Sequence, residues 1–290
     1  MPTRSPIVAG MFYPADEPTC RRQVRACLEA IRVEAPIGTV HGGVVPHAGW
    51  VYSGPTAGTV FQSLTAQEPP ETFILFGAVH TWGVSDACLY GHGTWRTPLG
   101  ELAIDEELAA AIASHAGLAD RPEAHAEEHS IEVQLPFIKH LFPSARIVPI
   151  AMPPLYTAHT VGQKVAQAVR QLGRRAVALG STDLTHYGPR YGLAPAGSGE
   201  RALAWVHNND KSILDLMLAM RAEEIVPEAR SRHNACGAGA VAAAIAFAAE
   251  MGAAQGVLLH YTTSHEVMPT GRATDMVGYG AVVFIEPRAA

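Results

Sequence analysis

The sequence has little of what marks a membrane, secreted or nucleic-acid-binding chain. No stretch reaches the roughly 18 consecutive apolar residues of a membrane span. The nearest, Ala235 to Ala249, is rich in Ala and Gly and gives way at once to Glu250, so it reads as a tightly packed core helix. Cysteine is scarce: Cys20, Cys27, Cys88 and Cys236 are the only four in 290 residues, and they form no disulfide framework. Met1 to Gly10 lacks the apolar core of a signal peptide, and with the scattered thiols this points to a reducing cytoplasm. Charge is also thin, at 17% of residues with a formal net charge of -6. The 21 Lys+Arg form no block longer than Arg21-Arg22 or Arg174-Arg175, which argues against nucleic acid and other polyanionic partners. There is no internal repeat, no low-complexity tract and no interdomain linker, Ala194 to Gly199 being a short loop, so residues 1–290 are expected to form one domain.

What is present is an alternation of short apolar runs with amphipathic segments. Gly42 to Val45, Thr72 to Gly77, Arg146 to Ala151 and Ala176 to Gly180 read as buried strands. Between them, Thr56 to Leu64, Glu106 to His115, the segment after His129 and Val161 to Leu172 read as helices. A helix from Asp210 to Arg221, with Met217 and Met220 as core filler, precedes further strands at Gly256 to Tyr261 and Gly280 to Phe284. This order predicts an α/β fold with a largely parallel central sheet flanked by helices. Ligands of such sheets bind beyond the carboxyl ends of the strands.

That is where the chemically able residues fall. His47 follows Gly42-Gly43-Val44-Val45-Pro46, and His80 follows Thr72-Phe73-Ile74-Leu75-Phe76-Gly77. Cys236 lies in His233-Asn234-Ala235-Cys236-Gly237, just ahead of the Ala-rich helix whose positive end favours a thiolate. Singly, a strand-end His is a hydrogen-bonded loop residue and a lone Cys a buried thiol; no CxxC or HExxH spacing marks a metal site. Ala176 to Gly180 leads into Ser181-Thr182-Asp183-Leu184-Thr185-His186-Tyr187-Gly188, where Asp183 and His186 suit acid-base work, with Asp183 expected to orient the imidazole. Glu127-Glu128-His129-Ser130-Ile131-Glu132 enters an expected amphipathic helix, on which His129 and Glu132 would share a face. One HxxE helix does not make a di-iron bundle, so these two are taken as flanking groups. His265, in Thr262-Thr263-Ser264-His265, is taken as a surface turn residue. His92, His115, His140, His159 and His207 fall in loops or on exposed helix faces.

In order, Pro46-His47-Ala48-Gly49, Gly77-Ala78-Val79-His80, Glu128-His129-Ser130-Ile131-Glu132, Ser181 to Gly188 and His233 to Gly237 resemble the Memo family. The resemblance begins at Ala9-Gly10-Met11-Phe12-Tyr13 and closes with Gly280-Ala281-Val282-Val283-Phe284. It implies a fold similar to the catalytic subunit of LigB-type class III extradiol dioxygenases. It also implies a metal site at His47, His80 and Cys236, with Asp183 and His186 as adjacent catalytic groups. In the dioxygenases the third iron ligand is a carboxylate. A cysteine in that place softens the site toward Cu(I), Zn(II) or thiolate-bound Fe(II).

Eukaryotic relatives bind a phosphotyrosine peptide near an aromatic groove. Here Phe12 stands where they carry tryptophan, and Tyr52 is retained, so the pair suits stacking on a planar substrate. Memo-like proteins of the AmmeMemoRadiSam systems are paired with a radical-SAM protein and an AMMECR-type domain, the partners that the resemblance implies. Three functions fit: an iron- or copper-dependent redox enzyme acting on a small, aromatic substrate, a zinc-dependent hydrolase, and a peptide-binding module that retains the cleft. Phe12, Tyr52, His129 and Glu132 are the candidate substrate-binding residues.

Overall fold

The computed structural model describes residues 2–34 and 36–288. Two uninterrupted apolar runs, Thr72–Gly77 and Ala176–Ser181, are buried at every position and hydrogen-bond to each other as parallel strands at the centre of the main sheet. Gly38–Val45 joins in parallel on one side and Arg146–Ala151 on the other. Helices cover both faces, and successive residues of Gly38–Val45 show it. A Cβ built on Gly42 would meet Ala248, whereas one on Gly43 would meet Val60. Ala248 lies on the helix Ala238–Glu250 and Val60 on the helix Trp50–Leu64.

The full sheet is mixed rather than largely parallel. Its order is His186–Tyr187, Met276–Pro287, Gly38–Val45, Ala176–Ser181, Thr72–Gly77, Arg146–Ala151, Cys88–Leu89 and Ala119–Asp120, and Gln255–Thr263 also pairs with Met276–Pro287. Met276–Pro287 is antiparallel to each of its three neighbours, and Cys88–Leu89 is antiparallel to Arg146–Ala151. A parallel return needs a crossover of a dozen or more residues. Between Thr263 and Met276 there is only a one-turn helix, Ser264–Val267, and a loop, so the chain comes back antiparallel. A small second sheet is built from Thr3–Arg4, Thr94–Thr97 and Gly100–Ala103.

Small residues bring the Ala-rich helix Ala238–Glu250 onto the sheet. A Cβ on Gly180 would come within 2.7 Å of Ala240 O, and one on Gly162, from the helix Ala158–Gln171, within 2.1 Å of Ala243 O. The helix is buried from Ala238 through Ala248, which fixes its N-terminus, and Cys236 with it, at the carboxyl end of the central strands. None of the described helices is long and apolar enough to cross a membrane.

The segment after His129 departs from the expected helix. Residues up to Ile131 form turns, Glu132–Gln134 a single 3-10 turn, and the α-helix begins only at Leu135. His129 and Glu132 therefore do not share a helical face.

Candidate metal centre

His47 and His80 sit two and three residues beyond the parallel strands Gly38–Val45 and Thr72–Gly77, and the chain turn before Glu132–Gln134 brings His129 to the same place. Their ring centroids are 5.1 Å (His47–His80), 4.8 Å (His80–His129) and 5.5 Å (His47–His129) apart. One nitrogen from each lies within 4.8 Å of the others. Imidazoles on one tetrahedral ion at ~2.1 Å have nitrogens about 3.4 Å apart, so small side-chain rotations would close the set.

Each of the first two rings is held by its Nδ1. Ser181 Oγ donates to Ser130 O at 2.8 Å, so it accepts from His47 Nδ1 at 3.0 Å and leaves His47 Nε2 with its lone pair. Glu128 accepts from His80 Nδ1 at 3.0 Å and from the backbone N–H groups of His80 and Ser130 at 2.7 and 2.8 Å. A carboxylate behind an imidazole is the usual arrangement behind a metal-ligating histidine. Against burial, the hydrogen bonds and charges of Cys236 and Glu128 raise the His80 pKa to about 10, so an ion that binds there displaces a proton. Burial works against ionisation of Glu128, but His80 and the N–H groups outweigh it and hold the carboxyl well below its usual range. Burial pushes both His47 and His129 toward the neutral form that a metal requires.

Cys236 lies on the other side of His47, with Sγ 3.2 Å from His47 Nε2. It also accepts from Asp183 N at 3.3 Å. Burial alone would push this thiol up, but the charge and hydrogen bond of His47 and the hydrogen bond of His80 bring it down to about 6. Burial pushes Cys20 and Cys27 up to about 12, so Cys236 stands apart from them as the thiolate-forming cysteine. All four cysteines are free thiols.

His47, His80 and His129 border a cavity of about 650 Å³, lined among others by Phe12, Tyr52, Asp183, His186, Tyr191 and His265. His265 thus faces the cleft and is not the surface turn residue that its loop suggested. Asp183 does not bond the His186 ring. Its Oδ1 accepts from His47 N and Ala48 N at 2.8 and 3.2 Å, and burial holds its pKa above the ordinary value. His186 Nδ1 is taken by Leu184 O at 3.1 Å. Leu184 and Thr185 separate the two residues, and Asp183 fixes the His47 loop.

Glu132 is also placed differently from expectation. It is fully buried outside the cavity, with Oε2 2.7 Å from Arg4 Nη1 and Oε1 accepting from Val8 N and Tyr13 Oη at 2.9 Å. Phe12 meets His129 edge-on at 5.0 Å, and Tyr52 is exposed at the rim. Sequence reasoning missed Glu128 as the partner of His80, although it adjoins His129 in the same block. It also missed Arg190, Tyr191 and Arg272, which lie in loops without any pattern.

An α/β sheet carrying a histidine cluster at its strand ends is the class that this geometry defines. The family model described as Memo-like protein matches residues 4–283. A MEMO1 family protein of Thermococcus onnurineus is 40% identical over 97% of this chain and 99% of its own length. One of Methanopyrus kandleri is 38% identical, with 97% and 98% covered, and one of Pyrobaculum arsenaticum is 32% identical, with 98% and 99% covered. The chain belongs to the Memo family.

Proposed function

We propose that this Memo-family protein is a metal-dependent redox enzyme of the cytoplasm, dioxygenase-like in fold and in site. His47, His80 and Cys236 would hold Fe(II) or copper, and His129 would flank them. The observation that carries the reading is the convergence of imidazoles whose rear nitrogens are already occupied by Ser181 and Glu128. Cys236 Sγ, 3.2 Å from His47 Nε2, is at a separation that two ligands of one ion adopt. When bound, such an ion supplies electron transfer and polarisation of a substrate oxygen. His186, with Nδ1 taken by Leu184 O, has Nε2 left to give or accept a proton. Asp183 keeps the His47 loop in register. Phe12, Tyr52 and Tyr191 provide aromatic walls for a small planar substrate.

The test is the metal content of protein purified without oxygen, by plasma mass spectrometry, for the wild type and for His47→Ala, His80→Ala, His129→Ala and Cys236→Ala. The account expects iron or copper in the wild type and its loss from the His47, His80 and Cys236 variants, with the His129 variant keeping its ion. Two imidazoles and a thiolate are also a zinc set. Zinc in the wild type, lost from the same three variants, would move the function to hydrolysis, with His186 as base. A chain that takes up no ion under any condition would contradict both enzymatic readings and favour a binding cleft.

A further inference from the structure

The polar lining of the cavity is rich in nitrogen donors. Besides His47, His80, His129, His186 and His265 it includes two arginines, Arg190 and Arg272. Asp183 and Asp275 are the carboxylates that line it, and both are engaged with backbone. Asp183 Oδ1 accepts from His47 N and Ala48 N, and Asp275 Oδ1 accepts from Arg190 N at 3.1 Å.

Among the described residues, neither cavity arginine has a carboxylate within ion-pair distance; Arg272 Nη2 donates only to Ser198 O, at 3.3 Å. The cavity at the opposite end of the strands gives the contrast. Its Arg146, Arg174 and Arg175 are paired with Asp105, Glu107, Glu68 and Glu71. Both arginines are exposed, so their guanidinium donors, unlike those of the opposite cavity, are open to an anion that enters the cleft.

The two arginines reach the cavity from neighbouring segments. The short antiparallel ladder His186↔Val277 and Tyr187↔Met276 brings their segments side by side, and the Asp275–Arg190 bond continues that contact beyond the ladder. Tyr191, next to Arg190, meets His186 edge-on at 5.1 Å, so an aromatic ring lies against the proposed proton-transfer group.

We propose that Arg190 and Arg272 form an anion clamp at the mouth of the cavity, and that the substrate is a small molecule with a carboxylate or phosphate attached to a planar apolar part. This rests on the reading of the cavity as the substrate site. The guanidinium pair takes the anionic end by charge-assisted hydrogen bonds, and Tyr52, Tyr191 and Phe12 take the planar part, directing its other end toward His47 and His80.

The test uses metal-reconstituted protein titrated with benzoate, phenyl phosphate and benzyl alcohol by ligand-observed NMR, for the wild type and for Arg190→Gln, Arg272→Gln and the double variant. The expected result is binding of at least one anion about tenfold or more tighter than the neutral alcohol. The double variant should lose that preference, along with its weakening by salt, while keeping its metal and its affinity for the alcohol. Which anion binds tighter separates a carboxylate from a phosphate. Equal binding of alcohol and anions, unchanged anion binding in the double variant, or no anion binding at millimolar probe would each overturn the proposal. Arginine-dependent anion binding to a chain that holds no metal would sink the redox reading and leave the clamp standing. Metal without arginine dependence would do the reverse.

Discussion

Glu128 and Glu132 lie one turn apart in sequence and do different work. Glu128 fixes His80, whereas Glu132 is the buried counter-charge of Arg4 and the acceptor for the N-terminal segment at Ile7 and Val8. Removing one partner of a buried pair leaves an uncompensated charge, so Glu132→Gln should lower unfolding free energy by about 3–5 kcal/mol. Urea titration checks this, and the folded variant should keep its metal, since Glu132 touches no cavity residue. A substrate-binding Glu132 would instead change ligand affinity at unchanged stability.

His125 gives a pH prediction. Burial, then the nearby Arg4 charge, pushes it down to about 4, and its ring packs edge-on against Tyr90 and Trp95. Below the unfolded value of about 6.5 the unfolded chain binds the extra proton and the folded chain does not, so stability is complete above that pH and is lost as pH falls toward 4. Between about pH 7.5 and about pH 5 the wild type should lose about 2 kcal/mol more than His125→Phe, measured by denaturant unfolding at each pH. An equal loss in both would place the titration elsewhere.

At this scale the sequence was readable where a residue followed a recognisable strand. His47 and His80 could be placed at strand ends because the apolar runs before them are unambiguous. The roles of Asp183 and Glu132 were not readable, because they depend on which backbone N–H groups happen to converge on a carboxylate.

Among the elements, the helix Ala238–Glu250 has the most direct link to the site. Its packing needs Gly180 of the sheet and Gly162 of the helix Ala158–Gln171, and its start carries Cys236 against the strand end at Ser181. A Cβ at Gly237 would come within 2.1 Å of Ser181 O, so this junction has no slack. Gly162→Ala would drive a methyl into Ala243 O and should cost about 1–3 kcal/mol through overpacking. It should also change the rate at which Cys236 reacts with a thiol reagent, because the helix start moves with the helix. A stability loss with unchanged thiol reactivity would show the helix start to be anchored independently.

The four central parallel strands could be read from their continuous apolar content. Their antiparallel flank could not, because strand direction depends on the length of the connection before Met276 and the apolar pattern does not record it. The helix expected directly after His129 also failed. The turn at Ser130 is held by Ser130 N donating to the nearby Glu128 carboxylate and by the distant Ser181 Oγ donating to Ser130 O, and these override the local 3.6-residue pattern.

Across the whole molecule, the ends of the central strands and the start of the close-packed Ala-rich helix converge on one region beside the cleft. The Memo-family relationship covers residues 4–283, nearly the whole chain, so the site is a property of the full fold. If an ion is held there it must stabilise the folded chain relative to the unfolded one. Adding the native metal to metal-free protein should therefore raise the melting temperature of the wild type and leave that of His47→Ala unchanged, as read by calorimetry.

The most direct test of the central claim is X-ray absorption at the metal edge, on protein purified and kept without oxygen so that the Cys236 thiolate is not lost to sulfinate. The account predicts one sulfur scatterer at about 2.3 Å together with imidazole nitrogens at about 2.0–2.1 Å. A bound ion whose spectrum shows only nitrogen and oxygen neighbours would contradict the role given to Cys236 and place the third histidine, His129, in the ligand set instead.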